Sequence, residues 1–361
     1  MGYLNNIEFK NFRNFSHFNL DFSNNCNIFY GINGSGKTNI LEGISLFTKG
    51  TGIRNEKINN LIKSNKLNFS IFGNLESNSN NYELKTTLKN NNGKYKKILS
   101  VNGDSSLHSI KNINSILSFL YFLPEMERLF LLTPSYRRNF IDKFIFSYIK
   151  NYNKTVNIYK KNILERSSIL KLNNYDLDWI ENIERNIAEY GINIYNLRND
   201  QINILSKNLK ILNSKNEYSF EVDIFLDDNF YEKKLDIDKY ASELKKNREF
   251  DKKFGGTKYG PHRSDFIFKV NNKFFADQLS TGQQKTLVLL LLLSQSNYLI
   301  SEKKIKPILL LDEVCSHLDD QNRKILLDLC RIFNIQVFMT GTDETLFSFI
   351  STNSNFYNIS I

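Results

Sequence analysis

The first thirty residues alternate apolar and polar positions. Leu4, Ile7 and Phe9, then Phe18, Leu20 and Phe22, predict two strands joined through Asn-rich turns. Residues 26–30 form a short apolar run that leads into a glycine cluster, and a helix is expected over 37–47. Three further strands are expected over 69–75, 82–88 and 95–101, the last two linked by the hairpin signal Asn90-Asn91-Asn92-Gly93. Residues 116–123 predict another buried strand, closed by Pro124.

From 125 to 254 glycine almost vanishes and the apolar period becomes helical. Helices are expected over 135–148, 152–170, 176–212 and 231–247, with a strand over 220–225 between the last two. No heptad pattern in 176–212 runs long enough for a coiled coil. After 254 the α/β pattern returns. Strands are expected over 266–270, 274–276, 307–311 and 336–339, and helices over 281–300 and 321–333. The run at 307–311 is wholly apolar, as expected of a strand covered on both faces. The pattern as a whole predicts an α/β domain interrupted by a mostly helical arm, divided as 1–124, 125–254 and 255–361. No repeat at solenoid periods is visible.

Composition narrows the classes. A chain of 361 residues suits one large domain or two, and 41% hydrophobic residues argue against disorder. Lys and Arg total 48 against 38 for Asp and Glu, a net charge of +10. That balance invites a polyanionic partner. About one residue in seven is Asn, however, and Asn, Lys, Ile, Phe and Tyr share A/T-rich codons, so composition by itself does not assign DNA or RNA. The apolar run 287–293 is far short of the ~18 residues a membrane helix needs. The first residues lack a basic stretch followed by an apolar one, so no signal peptide is expected. Cys26, Cys315 and Cys330 form no CxxC pair, which suits a reducing cytoplasm and offers no zinc site. His17, His108 and His317 have no second ligand at metal spacing.

Gly31-Ile32-Asn33-Gly34-Ser35-Gly36-Lys37-Thr38 fits GxxxxGK[ST] without a mismatch, after a strand and before a helix. The glycines let the backbone wrap a phosphate, and the N–H groups of the helix start favour the anion. Lys37 is placed to reach β- and γ-phosphates and Thr38 to hold Mg²⁺, so ATP with Mg²⁺ is the expected cofactor. Ile308 to Leu311 supply an apolar strand that ends in Asp312 and Glu313, at the carboxyl edge of the sheet. Asp312 would belong to the Mg²⁺ shell and Glu313 would polarise the attacking water. Leu279-Ser280-Thr281-Gly282-Gln283-Gln284 opens the helix at 281. Ser280 can serve as an N-cap alone. In ATPases that sandwich nucleotide, the same S-x-G-Q motif, here Ser280, Gly282 and Gln283, contacts the γ-phosphate bound by the other protomer. Ser316-His317-Leu318-Asp319 completes an ABC-type order of parts.

The chain resembles the RecF family of bacterial recombination mediators, within the ABC/SMC-like ATPases, over nearly its whole length. The resemblance rests on Phe9-Lys10-Asn11-Phe12-Arg13-Asn14-Phe15, on Pro134-Ser135-Tyr136-Arg137-Arg138-Asn139-Phe140-Ile141-Asp142, on Gly260-Pro261-His262-Arg263-Ser264-Asp265 and on Val337-Phe338-Met339-Thr340-Gly341-Thr342-Asp343. Ser264 stands where the family usually has Asp. The resemblance implies an ABC-type ATPase head with an inserted arm, and a weak DNA-dependent ATPase whose hydrolysis acts as a switch. It implies an ATP-dependent homodimer that grips DNA mainly through phosphates, works with RecO and RecR, helps RecA load at gapped DNA and supports the SOS response. Arg13 would lie near the nucleotide, as an arginine does in SMC-like ATPases. The family relation leaves open which residue senses the γ-phosphate: ABC transporters use a His after the last core strand, and here Thr340 or Thr342 stands in the turn. Glu125 is the candidate for the bridging Gln.

Three other classes share the phosphate loop, and one of them, a small-molecule P-loop kinase, would need neither S-x-G-Q nor a helical arm. A transporter's nucleotide subunit would have a much shorter gap between loop and signature, and an SMC-type chromosome protein needs a far longer coiled-coil insert. His262 and Arg263 are candidates for a DNA face, for the dimer seam or for turn support, and Arg137 and Arg138, at a helix start, for a role that is half structural. Lys94, Lys96, Lys97, Lys303, Lys304 and Lys306 are candidate phosphate contacts.

Overall fold

Three short buried runs build the central sheet. In the computed structural model, β3 (Cys26–Tyr30), β11 (Ile308–Leu311) and β12 (Val337–Gly341) are buried almost throughout, as strands covered on both faces must be. Edge strands β7 (Phe119–Phe122) and β13 (Ser354–Asn358) complete a parallel sheet of order β13-β3-β12-β11-β7. The structure describes every residue except 1, 49, 78, 92, 93, 173, 217–219, 233–235, 317, 332, 333, 351–353 and 361. Two residues of the expected Asn90–Gly93 hairpin and His317 therefore lie outside the described residues.

A second, antiparallel sheet has the order β2-β1-β4-β5-β6, with β1 (Gly2–Phe12), β2 (Phe15–Asp21), β4 (Ser70–Ser77), β5 (Asn80–Asn91) and β6 (Lys94–Val101). Helix α1 (Lys37–Ser45) packs on it through a glycine. A side-chain carbon at Gly43 would stand 2.2 Å from the Phe9 ring, so only glycine admits this approach. Gly73 makes the same allowance for Phe47, whose ring would lie 2.8 Å from a side-chain carbon there. Helices α2 (Leu107–Ile116), α9 (Thr281–Ser301) and α10 (Asp320–Arg331) belong to this unit, which comprises Met1–Glu127 and Thr281–Ile361. α9 is buried over most of its length, from Gln284 to Leu299, and α10 packs against it.

The second unit is Arg128–Ser280. It holds α3 (Pro134–Tyr148), α4 (Tyr152–Leu170), the 40-residue α5 (Leu177–Asn216), α6 (Asn229–Glu232), α7 (Ile237–Lys246) and α8 (Arg248–Phe254). A three-stranded sheet, β10-β9-β8, comes from β8 (Val222–Asp227), β9 (Asp265–Val270) and β10 (Phe274–Phe275). Residues 255–280, expected with the head, group here because β9 pairs with β8 along its whole length. The helix expected over 231–247 is broken: α6 ends at Glu232, and α7 begins at Ile237 with Asp236 as its N-cap, bonded to the Lys239 N–H at 2.8 Å.

Arg166 anchors these helices. It is fully buried, bonds Glu184 at 2.9 Å and Asp251 at 2.7 Å, and donates to the Leu244 carbonyl. A buried guanidinium is tolerable only with partners of this kind.

Candidate nucleotide site

The phosphate loop leaves β3 at Gly31 and enters α1 at Lys37. Gly31, Gly34 and Gly36 have φ of 144°, 87° and 103°, conformations that L side chains rarely adopt. At Gly36 the neighbours forbid a side chain as well, since its carbon would lie 2.6 Å from Asn14 Nδ2 and 2.9 Å from the Phe15 ring. Asn14 also donates to the Ser35 carbonyl at 3.3 Å and accepts from Asn39 at 2.8 Å. The β1–β2 turn thus braces the loop from behind. Gly31 meets the residue that follows β13: a side-chain carbon there would be 2.6 Å from the Ile359 carbonyl oxygen.

Lys37 is buried, and its ammonium donates to the Gly31 and Ile32 carbonyls, each at 2.8 Å. Burial lowers its pKa, and the carboxylates of Glu313 and Asp312 oppose that shift. Ser35 is buried, whereas Ile32, Asn33 and Gly34 are exposed.

β11 delivers the acids. Thr38 donates its hydroxyl to Asp312 Oδ1 at 2.9 Å, joining the loop to the strand end. The buried Thr340, on β12, donates to the same oxygen at 2.6 Å and accepts the Glu313 N–H at 2.8 Å. Burial raises the Asp312 pKa, and the two hydroxyls pull it back. Glu313 has φ of 48°, an unusual state for a non-glycine residue, held here by the Thr340 oxygen. Lys37, Thr38, Asp312, Glu313 and Thr340 therefore form one cluster. The Thr38 hydroxyl and Asp312 carboxylate are hard oxygen donors of the kind Mg²⁺ takes alongside substrate phosphates. Among the described residues no group of three or more His, Cys, Asp or Glu could form an all-protein metal cage.

The signature residues lie at the start of α9, where Ser280 and Gln283 are exposed and Gly282 is half exposed. A side-chain carbon on Gly282 would meet open space, so its small size serves neither packing nor backbone strain.

Other expected residues have different surroundings. Arg13 forms a two-pronged ion pair with the fully buried Glu42 of α1, at 2.7 and 2.8 Å, and donates to the Asn60 carbonyl at 3.2 Å. Glu42 holds the Arg13 pKa above its usual value. Thr342 and Glu125 are exposed. Lys97 is half-buried, and its ammonium donates to the Leu46 and Thr48 carbonyls at 3.1 and 2.5 Å, past the end of α1, which removes it from the candidate DNA contacts. Burial pushes its pKa down to about 8.

The arginine segments of the second unit meet one another. Arg137 pairs with Asp265 at 2.6 Å, Arg138 donates to the Ser264 carbonyl at 2.6 Å, and Arg198 pairs with Asp142 at 2.9 Å and donates to the Pro261 carbonyl. His262 bonds the Tyr159 hydroxyl at 2.7 Å and the Thr257 hydroxyl at 3.0 Å. These residues support a fold, whereas Arg263 is exposed.

Sequence reasoning missed Asn14 as a brace, Glu42 as the partner of Arg13, and Lys285. Lys285 is buried on α9, pairs with Glu127 at 2.8 Å and donates to the Ser316 carbonyl at 2.8 Å. Its sequence signal was a lone cation opening an apolar helical run.

The family model for the RecF/RecN/SMC N-terminal domain matches residues 3–360. DNA replication and repair protein RecF of Rickettsia felis is 32% identical over 347 residues, covering 94% of this chain and 93% of its own. The solved structure of the recombination mediator protein RecF–ATPrS in the RecFOR pathway is similar with a TM-score of 0.82 and 30% identity, covering 97% of this chain and 94% of that one. The corresponding RecF–ATP structure gives 0.81 and 31%, with coverage of 95% and 93%.

Proposed function

Because the chain belongs to the RecF/RecN/SMC N-terminal domain family, and stands with the RecF proteins within it, we propose that it is an ATP-gated DNA-binding protein of recombinational repair. The observation that carries the reading is the hydrogen bond from Thr38 to Asp312, which joins a phosphate loop to the acidic end of a core strand. ATP is the nucleotide. Lys37 exchanges its loop carbonyls for the β- and γ-phosphates, and the loop N–H groups with the α1 terminus hold the remaining charge. Thr38 and Asp312 would hold Mg²⁺, which when bound neutralises phosphate charge. Glu313 orients and polarises the attacking water, and Thr340 fixes both acids from behind.

Ser280, Gly282 and Gln283 act on the nucleotide of a second copy, so two chains close around two ATP. Closure shapes a basic surface that grips DNA through phosphates, and hydrolysis reopens it. Work with RecO and RecR to load RecA at gapped DNA belongs to the same reading, as does location in the cytoplasm. No helix of the described residues is long and apolar enough to cross a membrane.

Light scattering with a DNA-retention assay tests this reading. Wild type should dimerise and retain DNA only with ATP. Glu313→Gln should bind ATP but hydrolyse it slowly, and so stay dimeric on DNA. Lys37→Met should lose ATP binding, the dimer and retention together. Unchanged nucleotide affinity in Lys37→Met, or wild-type turnover in Glu313→Gln, would overturn the assignment.

A further inference from the structure

The second unit carries an exposed aromatic pair that the nucleotide site does not use. Phe250 and Phe254 stand one turn apart on α8, with ring centroids 4.5 Å apart and 42% and 74% exposure. Large apolar side chains so exposed, side by side, are a surface feature that asks for an occupant. Their setting is rigid. Asp251, between them in sequence, is buried, bonds Arg166 at 2.7 Å and accepts the Lys258 N–H at 2.9 Å. Gly255 and Gly256, both with positive φ, then fold the chain back over the helix.

That fold-back brings cations to the rings. Lys258 Nζ lies 5.2 Å from the Phe250 centroid and 5.0 Å from that of Tyr259, which itself stacks on Phe230. Lys253, exposed, sits on the helix between the two phenylalanines, three residues after one and one before the other. Arg263 donates to the Thr257 carbonyl at 3.1 Å, and its guanidinium would lie 3.7 Å from a side-chain carbon on Gly256. Glu249, at i,i+4 spacing to Lys253, offsets part of this charge. The same turn therefore presents two stackable rings beside Lys253, Lys258 and Arg263.

Flat faces beside fixed cations match the two parts of a single-stranded nucleic acid: bases that stack and phosphates that pair. Duplex DNA hides its base faces and cannot use the rings. We propose that Phe250 and Phe254, with Lys253, Lys258 and Arg263, form a binding site for single-stranded DNA on the second unit. The inference rests on the DNA-binding reading above and adds a strand preference to it.

The test compares a fluorescein-labelled thymidine oligonucleotide with a duplex of equal length, by anisotropy with ATP over a salt series. Phe250→Leu/Phe254→Leu keeps apolar bulk and removes stacking. It should weaken single-strand binding about tenfold and leave ATP-dependent duplex binding unchanged. Lys253→Glu/Lys258→Glu should lower the salt slope for the single strand. Circular dichroism checks that both variants fold, as surface substitutions should. Unchanged single-strand affinity in the leucine variant, with duplex binding intact, overturns the stacking site alone. Loss of the ATP-dependent dimer with normal single-strand affinity overturns it too, and gives the patch to a second copy of the chain. Wild type that binds neither DNA form defeats both this site and the function on which it rests.

Discussion

The Thr340 hydroxyl donates to Asp312 Oδ1 at 2.6 Å, and the same oxygen accepts the Thr38 hydroxyl from the phosphate loop. Thr340 also accepts the Glu313 N–H. A residue expected to touch the γ-phosphate is instead buried behind both acids. Thr340→Val keeps the shape, frees the Glu313 N–H and takes a stabilising donor from Asp312. ATP turnover should fall about tenfold while ATP affinity changes little. Stopped-flow phosphate release beside equilibrium nucleotide binding checks this, and a loss confined to affinity would return Thr340 to direct phosphate contact.

Ser280 and Gln283 are exposed. Ser280→Arg should leave ATP binding by the monomer intact and abolish the ATP-dependent dimer. Light scattering with and without ATP reads the dimer, and nucleotide titration reads the monomer. Loss of monomer binding would contradict an action across two chains.

Arg13 and Glu42 form an ion pair with one partner fully buried. Arg13→Met leaves that carboxylate unpaired and should cost about 3–5 kcal/mol in urea unfolding. Arg13→Met/Glu42→Leu should recover most of the loss. If Arg13 contacted nucleotide, the double variant would regain stability but not ATP affinity, so measuring both separates the roles.

His262 is half-buried beside Arg263, Arg138 and Arg198, and its pKa falls to about 4. Burial is the larger cause. The unfolded side chain takes a proton near pH 6.5, whereas the folded one resists until about 4. Stability from this group is complete above pH 6.5 and is lost as pH falls from 6.5 to 4, by about 3 kcal/mol. His262→Gln should flatten the pH dependence of urea unfolding in that window. A slope equal to that of wild type would deny His262 this role.

The parts of the nucleotide site were legible because each has a local cause. Glycines at positive φ, a cation at a helix start and two acids after an apolar strand leave marks at fixed spacing. The partners of those residues were not legible, since Glu42 and Asn14 act through packing between distant segments. Helix α2 escaped notice because Ile, Asn and Ser are indifferent helix formers, and its start is set by the Ser106 cap, which accepts the Ser109 N–H at 3.2 Å. Strand β13 escaped for another reason. An edge strand such as Ser354–Asn358 needs no continuous apolar run, so neither of its faces advertises it. The basic segments at 134–142 and 260–265 were legible as a resemblance, but their ion pairs with one another appear only in three dimensions.

The strand that carries the phosphate loop has both of its neighbours much later in the sequence. β3 is flanked by β12 and β13, and the Ile359 N–H reaches the Tyr30 carbonyl at 2.8 Å. On the ribosome, residues 26–30 emerge early and keep two open edges until residues 337–358 follow. Long-range parallel pairing of this kind is slow to form and leaves sticky edges while it waits. Competence to hold nucleotide therefore waits on residues 337–358, so the phosphate loop gains its ATP site only once segments distant in sequence have paired beside it.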